Sequence, residues 1–508
     1  MPKNLIVCAD GTGNQGGSTP SSNVYKIYKA IDKHYVGKEE DGKLDEQIVF
    51  YDNGVGTEKN KLIRIIGGAF GFGFKDNVCD LYKFLARNYE KGDKIFFFGF
   101  SRGASTVRAC NGFISSCGLV RGRGLRNREF KILVEEAFDA YKVRLKEPEK
   151  GEKIRNSDSS NGVVDIHMMG IWDTVVALGF PKRTDVTGPV SAILNIFFCL
   201  AEKALDKIMP HSFYNYSLTD NVKHAYQALA IDDERTAFWP FVLQEKGRKD
   251  DSVEQVWFAG MHSNVGGGYG RSGTASIPLH WMILRAVERG LEFNHDAVQQ
   301  AFENSHVYGR IHNSRDGFAV MYRYHPRVIE LLCDGRLNGN IRLHSSVIDR
   351  IKSRTANYSP GQLPTKFEVV DSDRKVPPVI WNPGKNPKWA ELRAEIDTWV
   401  LRRKGLYAVM LTFVITFLVT AFRLRDYHEA EGCTVFWSYL AGFFGYLLPD
   451  FFDGLITFVV AQHYMVFVFT IILVSLYVWA RRWCYNKTVD ACERLRHLII
   501  HYQNDNNG

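Results

Sequence analysis

The clearest chemical signal in the sequence is a serine held between two glycines. An apolar run at 94–98 (KIFFF) leads into GFSRG at 99–103, and a helix-like segment rich in small residues follows. In a strand–turn–helix of this kind the serine occupies a strained turn, and the glycines avoid collisions with the neighbouring strand and helix. The pentapeptide alone also arises by chance, so a tight glycine turn without chemistry is the alternative. The setting predicts that Ser101 is a nucleophile.

A serine hydroxyl needs a base to take its proton and an acid to orient that base. Asp173 follows the apolar segment GIW at 170–172, and His262 follows VWFAGM at 256–261. Both positions fall where strands of a parallel sheet should end, in the chain order Ser, Asp, His that hydrolases of this type use. The alternative for Asp173 is a loop cap for Thr174. We therefore predict Asp173 as the acid and His262 as the base.

The predicted reaction also needs backbone donors for a developing oxyanion. One is the amide of Arg102, directly after the serine, and the other should come from a loop after an early strand. GTGN at 11–14 follows the apolar strand that ends at Asp10, so we predict the amides of Gly11 and Thr12 as oxyanion donors. A phosphate-binding loop is the competing interpretation, but the Walker pattern with its lysine is missing.

The remaining histidines considered have weaker claims to a catalytic role. They lie within apolar strand patterns or in polar connections, where structural or solvated roles are typical: His167, His224, His211, His312 and His344. The predicted chemistry requires no metal and no organic cofactor.

Strand and helix patterns alternate over the first ~300 residues, which indicates an α/β fold with a mostly parallel sheet covered on both faces. The predicted strands are Asn4–Ala9, Gln47–Tyr51, Lys94–Phe98, Val164–Ile171, His224–Ile231 and Glu254–Phe258. An apolar helical face within 185–210 could be a lid over an acyl pocket or simply core. Residues 291–385 are polar and irregular, and we expect a connecting layer there.

Two uncharged runs near the C-terminus, 406–422 and 464–480, are each long enough to cross a bilayer as a helix. Basic residues flank the pair on both outer sides, which favours a transmembrane hairpin at 405–482 with both termini, and hence the catalytic domain, in the cytoplasm. The alternative is two buried core helices. A third run, 434–448, is shorter, and whether it spans is left open. The sequence thus predicts a multi-pass membrane protein with a C-terminal α-helical membrane segment.

The segments around this hairpin complete the predicted domain organisation. Residues 386–404 form an amphipathic pattern, predicting a juxtamembrane helix at the interface or one packed on the body. Residues 483–508 form a C-terminal tail, and residues 1–290 form the catalytic domain.

Composition limits the remaining classes. The chain has 508 residues, a net charge of +8 and 45% hydrophobic residues, which excludes overall disorder and a small disulfide scaffold. Nine cysteines, an odd number without a C-x-x-C pair, favour a reducing compartment. The sequence has no basic block with interleaved aromatic residues, so it does not suggest a nucleic-acid partner.

Five motifs together resemble the α/β-hydrolase family of type VI secretion phospholipase effectors, over about residues 2–290. In order they are GGAFG at 67–71, GFSRGA at 99–104, WDTV at 172–175, ALAIDDER at 228–235 and VWFAGMHSNVGGGY at 256–269. The resemblance implies an α/β-hydrolase fold and a Ser–Asp–His esterase acting on glycerophospholipids, with Ser101, Asp173 and His262 at the matching positions. Asn264 departs from the family, which usually has Asp two residues after the histidine.

The expected function is therefore a membrane-anchored phospholipase whose partners are its phospholipid substrate and the lipid bilayer, with a possible regulatory protein partner unidentified. Two alternatives stay open. One is a tethered hydrolase of a non-lipid ester or thioester. The other is a membrane-perturbing protein in which the hydrolase domain is residual.

Overall fold

The computed structural model describes residues 2–11, 20–33, 46–54, 73–175, 214–249, 252–316, 322, 324–424 and 464–506. The predicted lid at 185–210, the short apolar run at 434–448 and Thr12 lie outside these ranges.

A nine-stranded sheet organises the part of the chain that the structure describes, in the order β2-β1-β3-β4-β5-β6-β7-β8-β9. Every neighbouring pair is parallel except the last, β8 with β9. The strands are β1 (Asn4–Ala9), β2 (Gln47–Asp52), β3 (Lys94–Phe100), β4 (Ile166–Trp172), β5 (Val222–Ala230), β6 (Val253–Phe258), β7 (Ile341–His344), β8 (Phe367–Val370) and β9 (Val379–Trp381). The predicted mostly parallel α/β sheet is confirmed.

Helices cover both faces of this sheet. They are α1 (Asn23–Ala30), α2 (Phe74–Asn88), α3 (Arg102–Cys117), α4 (Asn127–Val143), α5 (Pro148–Arg155), α6 (His262–Gly266), α7 (Gly273–Val287), α8 (His295–Glu303), α9 (Ile329–Cys333), α10 (Ser345–Lys352), α11 (Pro387–Leu424) and α12 (Tyr464–Asn506). Alternate residues of β1 point to opposite sides: Leu5 and Val7 join a core with α2, α3 and α4, whereas Ile6 and Cys8 join one with α1 and α7. Burial on both faces explains why β1 is a continuous apolar run.

Residues 291–385, expected as an irregular connecting layer, contribute β7, β8 and β9 to the sheet. These strands have only three or four residues each, too few to display a two-residue alternation clearly. They form because β7 pairs in parallel with β6, through Val256 with Arg342 and Trp257 with Leu343.

The two C-terminal helices pack against each other and against the body of the protein. Trp399 of α11 and Trp483 of α12 meet edge to face, with ring centroids 5.2 Å apart. Trp389, Ile396 and Leu495 are buried in a third core cluster, which also contains residues of β7 and β8. The amphipathic face at 386–404 is therefore packed on protein.

The prediction of a multi-pass membrane protein is wrong. Within the ranges that the structure describes, no helix is long and apolar enough to cross a membrane. The apolar runs at 406–422 and 464–480 lie inside α11 and α12, whose other ends contribute to the third core cluster. One basic residue of the flank, Arg403, has a structural contact instead, because its side chain is buried and pairs with Glu234, with an N–O distance of 3.3 Å. The predictions of an α-helical membrane segment and of the cellular location inferred from it therefore lose their support.

Candidate active site

Ser101 lies in a strained turn between β3 and α3. Its backbone angles are φ 58° and ψ −121°, in a region that non-glycine residues rarely adopt. A Cβ at Gly99 would lie 2.7 Å from Ala104 Cα, and a Cβ at Gly103 would lie 2.1 Å from Ala9 O. The two glycines therefore permit the close approach of helix and strands that the motif predicts.

Asp173 lies beside this turn, one strand away. β3 and β4 are neighbours, Phe100 pairs with Trp172, and the Ser101 amide donates to Trp172 O at 3.1 Å. Asp173 itself has φ 39° and is fully buried. Its Oδ1 accepts from the Ala230 amide at 3.0 Å, which fixes the carboxylate against the end of β5.

His262 begins α6 after β6 and reaches Asp173. Its Nδ1 lies 2.5 Å from Asp173 Oδ2, so the ring donates from Nδ1 and the neutral tautomer leaves Nε2 as the acceptor. Nε2 is buried and has no hydrogen-bond partner among the residues that the structure describes. The imidazole lies against Phe100, the residue before Ser101, with centroids 4.6 Å apart.

The charges of this pair favour a neutral base beside an ionised acid. Burial lowers the pKa of His262 below its usual value, although the bond to Asp173 opposes this effect. Burial would raise the pKa of Asp173, but Arg327 and His262 outweigh it and hold that pKa well below its usual range. At neutral pH, His262 can therefore accept a proton while Asp173 stabilises the imidazolium that forms.

Three charged residues at the candidate site were not predicted from the sequence. Arg327 makes a two-pronged ion pair with Asp173, at 2.6 Å and 2.7 Å, although 154 positions separate them. Asp233 accepts from the His262 amide at 3.3 Å and pairs with Arg235 at 2.6 Å. Asp233 and Arg235 belong to the ALAIDDER motif, which could have drawn attention to them, whereas no motif surrounds Arg327.

For the predicted oxyanion donor Gly11, the position of the chain after β1 is favourable, but the hydrogen bond of its amide is not. The end of β1 touches the start of α3, since a Cβ on Gly103 would also lie 2.5 Å from Asp10 O. Asp10, directly after β1, thus lies next to Gly103, two residues after Ser101. However, the Gly11 amide donates to Asp10 Oδ1 at 2.6 Å, so this amide is already engaged.

Asn264, where the sequence departs from the family pattern, connects α7 to the segment 310–312 through hydrogen bonds. Its Nδ2 donates to Thr274 Oγ1 at 2.9 Å and to Arg310 O at 3.1 Å, and its Oδ1 accepts from the His312 amide at 3.1 Å. An amide can make all these contacts because it both donates and accepts, whereas an ionised carboxylate only accepts.

The other candidate histidines have structural contacts. His167 bonds to Arg289 O at 3.0 Å and stacks edge-on with His224, and His312 stacks on Tyr269. His344 bonds to two serine hydroxyls. His211 lies outside the described residues.

Within the described residues, no group of three or more His, Cys, Asp or Glu side chains is arranged to hold a metal ion.

Comparison with known proteins finds a matching family model. Residues 3–285 match the model of the type VI secretion phospholipase effector Tle1-like catalytic domain. An uncharacterized protein of Saccharomyces cerevisiae, YEL023C, is 29% identical over 194 residues, which are 35% of this chain and 27% of that protein. The chain therefore aligns with only about a quarter of the length of that relative.

Two solved structures show weak likeness. One is the Tle1 effector bound to the VgrG spike of the type VI secretion system, at 14% identity and a TM-score of 0.33, covering 63% of this chain and 78% of that one. The other is an uncharacterized protein from Pseudomonas aeruginosa, at 14% identity and a TM-score of 0.37, covering 80% of this chain and 59% of that one.

Proposed function

The chain belongs to the type VI secretion Tle1-like phospholipase effector family, whose catalytic-domain model matches more than half of it, and we propose that it hydrolyses acyl esters of glycerophospholipids. The observation that carries the mechanism is the buried 2.5 Å contact between His262 Nδ1 and Asp173 Oδ2, next to the strained turn of Ser101. This arrangement supports nucleophilic ester hydrolysis by serine.

In the proposed reaction, Ser101 Oγ attacks the ester carbonyl while His262 Nε2 takes the hydroxyl proton. Asp173 holds the ring and stabilises its positive charge. The Arg102 amide, with an amide from Gly11 or Thr12, receives the oxyanion; Gly11 must first release its bond to Asp10. His262 then protonates the leaving alcohol, and water activated by the same ring releases the fatty acid.

The direct test incubates the purified full chain with vesicles of defined phospholipids and measures products by mass spectrometry. We expect free fatty acid and lysophospholipid from the wild type, and a loss of about a thousandfold or more for Ser101→Ala. Ser116→Ala is the matched control, because Ser116 is on α3, the helix that follows Ser101, and its hydroxyl donates to Gly112 O of that helix at 2.8 Å.

Equal hydrolysis by Ser101→Ala and wild type would contradict the proposal, provided that both are folded by circular dichroism. A parallel assay on short soluble esters separates the substrates. Ser101-dependent cleavage of those esters, with intact vesicle lipids, would keep the triad and reject the phospholipid substrate.

A further inference from the structure

Arg327 lies behind the acid of the candidate site and is almost completely buried, with 1% of its surface exposed. Its Nη1 contacts Asp173 Oδ1 and its Nη2 contacts Asp173 Oδ2, so the guanidinium fork spans both carboxylate oxygens. The same two nitrogens donate to the backbone oxygens of Ala230, at 2.5 Å, and Phe238. Arg327 therefore connects Asp173 to the end of β5 and to the segment that follows it.

We propose that Arg327 is a positioning residue of this site, which fixes the Asp173 carboxylate and offsets its charge so that His262 stays a neutral base near neutral pH. The proposal rests on the proposed function, since it assigns a role within the same Ser101, Asp173 and His262 arrangement.

Position is the first part of the argument. Asp173 Oδ2 is shared between His262 Nδ1 and Arg327 Nη2, and Oδ1 between the Ala230 amide and Arg327 Nη1. These four contacts hold the carboxylate in one orientation. A planar fork matches both oxygens, whereas the single ammonium of lysine cannot bind them in the same way.

Charge is the second part of the argument. Among the described residues, Asp173 bonds to the His262 ring and Asp233 accepts from the His262 backbone amide. Each carboxylate has an arginine partner, Arg327 and Arg235 respectively. The formal charges of these two carboxylates and two guanidinium groups sum to zero. Removing the Arg327 charge leaves a net negative charge at a buried imidazole, which favours the imidazolium.

Further ionisable groups of the described residues lie around these pairs and would remain in a variant. Asp232 accepts from the Gly260 amide at 2.6 Å, just before His262, and burial raises its pKa to about 6. Arg102 begins α3 beside Ser101, and Tyr322 packs on Phe238, whose ring meets His262. The arginine paired with Asp173 is Arg327, so a variant at that position removes this charge.

The test compares Arg327→Met and Arg327→Lys in the full chain by the pH profile of kcat/KM on phospholipid vesicles. We expect the acidic limb of Arg327→Met to move up by about one pH unit, with at least about a tenfold loss at pH 7. Arg327→Lys keeps the charge, so its limb should stay near that of the wild type while kcat falls because the fork is lost.

Arg285→Met is the matched control. Arg285 is also fully buried and pairs with two carboxylates, Glu288 at 3.1 Å and Glu254 at 3.7 Å. Glu254 lies near the start of β6, whereas His262 follows the end of that strand. The proposal would be overturned if the acidic limb of the kcat/KM profile of Arg327→Met stayed at the wild-type pH and its kcat/KM fell only as much as that of Arg285→Met. Full kcat in Arg327→Lys would also overturn it, even if Arg327→Met does not fold.

A second readout does not depend on activity. In protein carrying ¹³C-labelled histidine, the His262 ring signal, assigned by its absence in His262→Gln, should titrate at higher pH in Arg327→Met than in the wild type. If the wild type shows no Ser101-dependent hydrolysis, the proposed function fails, but this titration still decides whether Arg327 sets the charge of His262. Identical titration curves would reject the proposal.

Discussion

At the scale of single residues, the candidate site depends on backbone conformation as much as on hydrogen bonds. Ser101 and Asp173 both have positive φ, 58° and 39°, and both follow the last residue of a buried strand. Such conformations persist only where the surrounding structure fixes them. Here the fixing contacts are the close approaches at Gly99 and Gly103, and the Asp173 bonds to Ala230 and Arg327.

Gly103→Ala tests this packing. In a helix alanine is normally favoured over glycine by about 1 kcal/mol, but the new Cβ would lie 2.1 Å from Ala9 O. We expect the free energy of unfolding in urea to fall by about 1–3 kcal/mol, with a loss of esterase activity. Gly339→Ala is the control, because nothing lies within 4 Å of the position that its new Cβ would take. A Gly103→Ala variant as stable as wild type would show that helix and strand are not packed so closely.

The residues that the sequence predicts for the candidate site are those tied to a motif. Ser101, Asp173 and His262 follow buried strands, so strand ends and the glycine pattern pointed to them. Arg327 lies in a polar stretch without a repeating pattern, and only tertiary contact brings it to Asp173. The oxyanion donors stay a prediction, since Thr12 is outside the described residues and Gly11 is engaged by Asp10.

At the scale of elements, strands were predictable where burial on both faces makes them long apolar runs. β1 to β6 have six to nine residues and correspond to the six predicted strands, with shifts of one or two residues at several ends. β7 to β9 are too short to show such a pattern, and β7 joins the sheet through β6, whose paired residues lie 86 positions earlier in the sequence. The join between β7 and α10 depends on one buried histidine, His344, whose ring stacks on Phe258 and caps the Ser346 amide.

His344 makes the stability of this join sensitive to acid. Burial, with smaller effects of His280 and Arg285, lowers its pKa to about 3, against about 6.5 in an unfolded chain. Between these values the unfolded state binds a proton that the folded state does not, so the free energy of unfolding falls as the pH falls below 6.5. Relative to His344→Asn, which cannot take up that proton, the wild type should lose about 3 kcal/mol between pH 7 and pH 4.

Urea unfolding of both proteins at a series of pH values checks this expectation. Asparagine is a good helix cap, so the variant keeps a side-chain acceptor for the Ser346 amide. Parallel curves of unfolding free energy against pH would contradict a neutral, buried His344.

At the scale of the whole molecule, three core clusters share one sheet. Two of them sandwich β1 to β6, and the third joins the far strands to α11 and α12. The sequence indicated the helices at the C-terminus but not their packing, because a 17-residue apolar run looks alike in a membrane span and in a long helix. Buried Ile396 and Leu495 hold the other ends of these helices to the body of the protein.

The central claim is that Ser101 is an activated nucleophile, and labelling with a fluorophosphonate tests it most directly. Peptide mass spectrometry of the labelled full chain should find one adduct, on Ser101, and phospholipid hydrolysis should fall in proportion to the labelled fraction. Ser116→Ala should label like the wild type, and Ser101→Ala should not label. An unlabelled Ser101 in folded protein, or hydrolysis that continues after complete labelling of Ser101, would contradict the account.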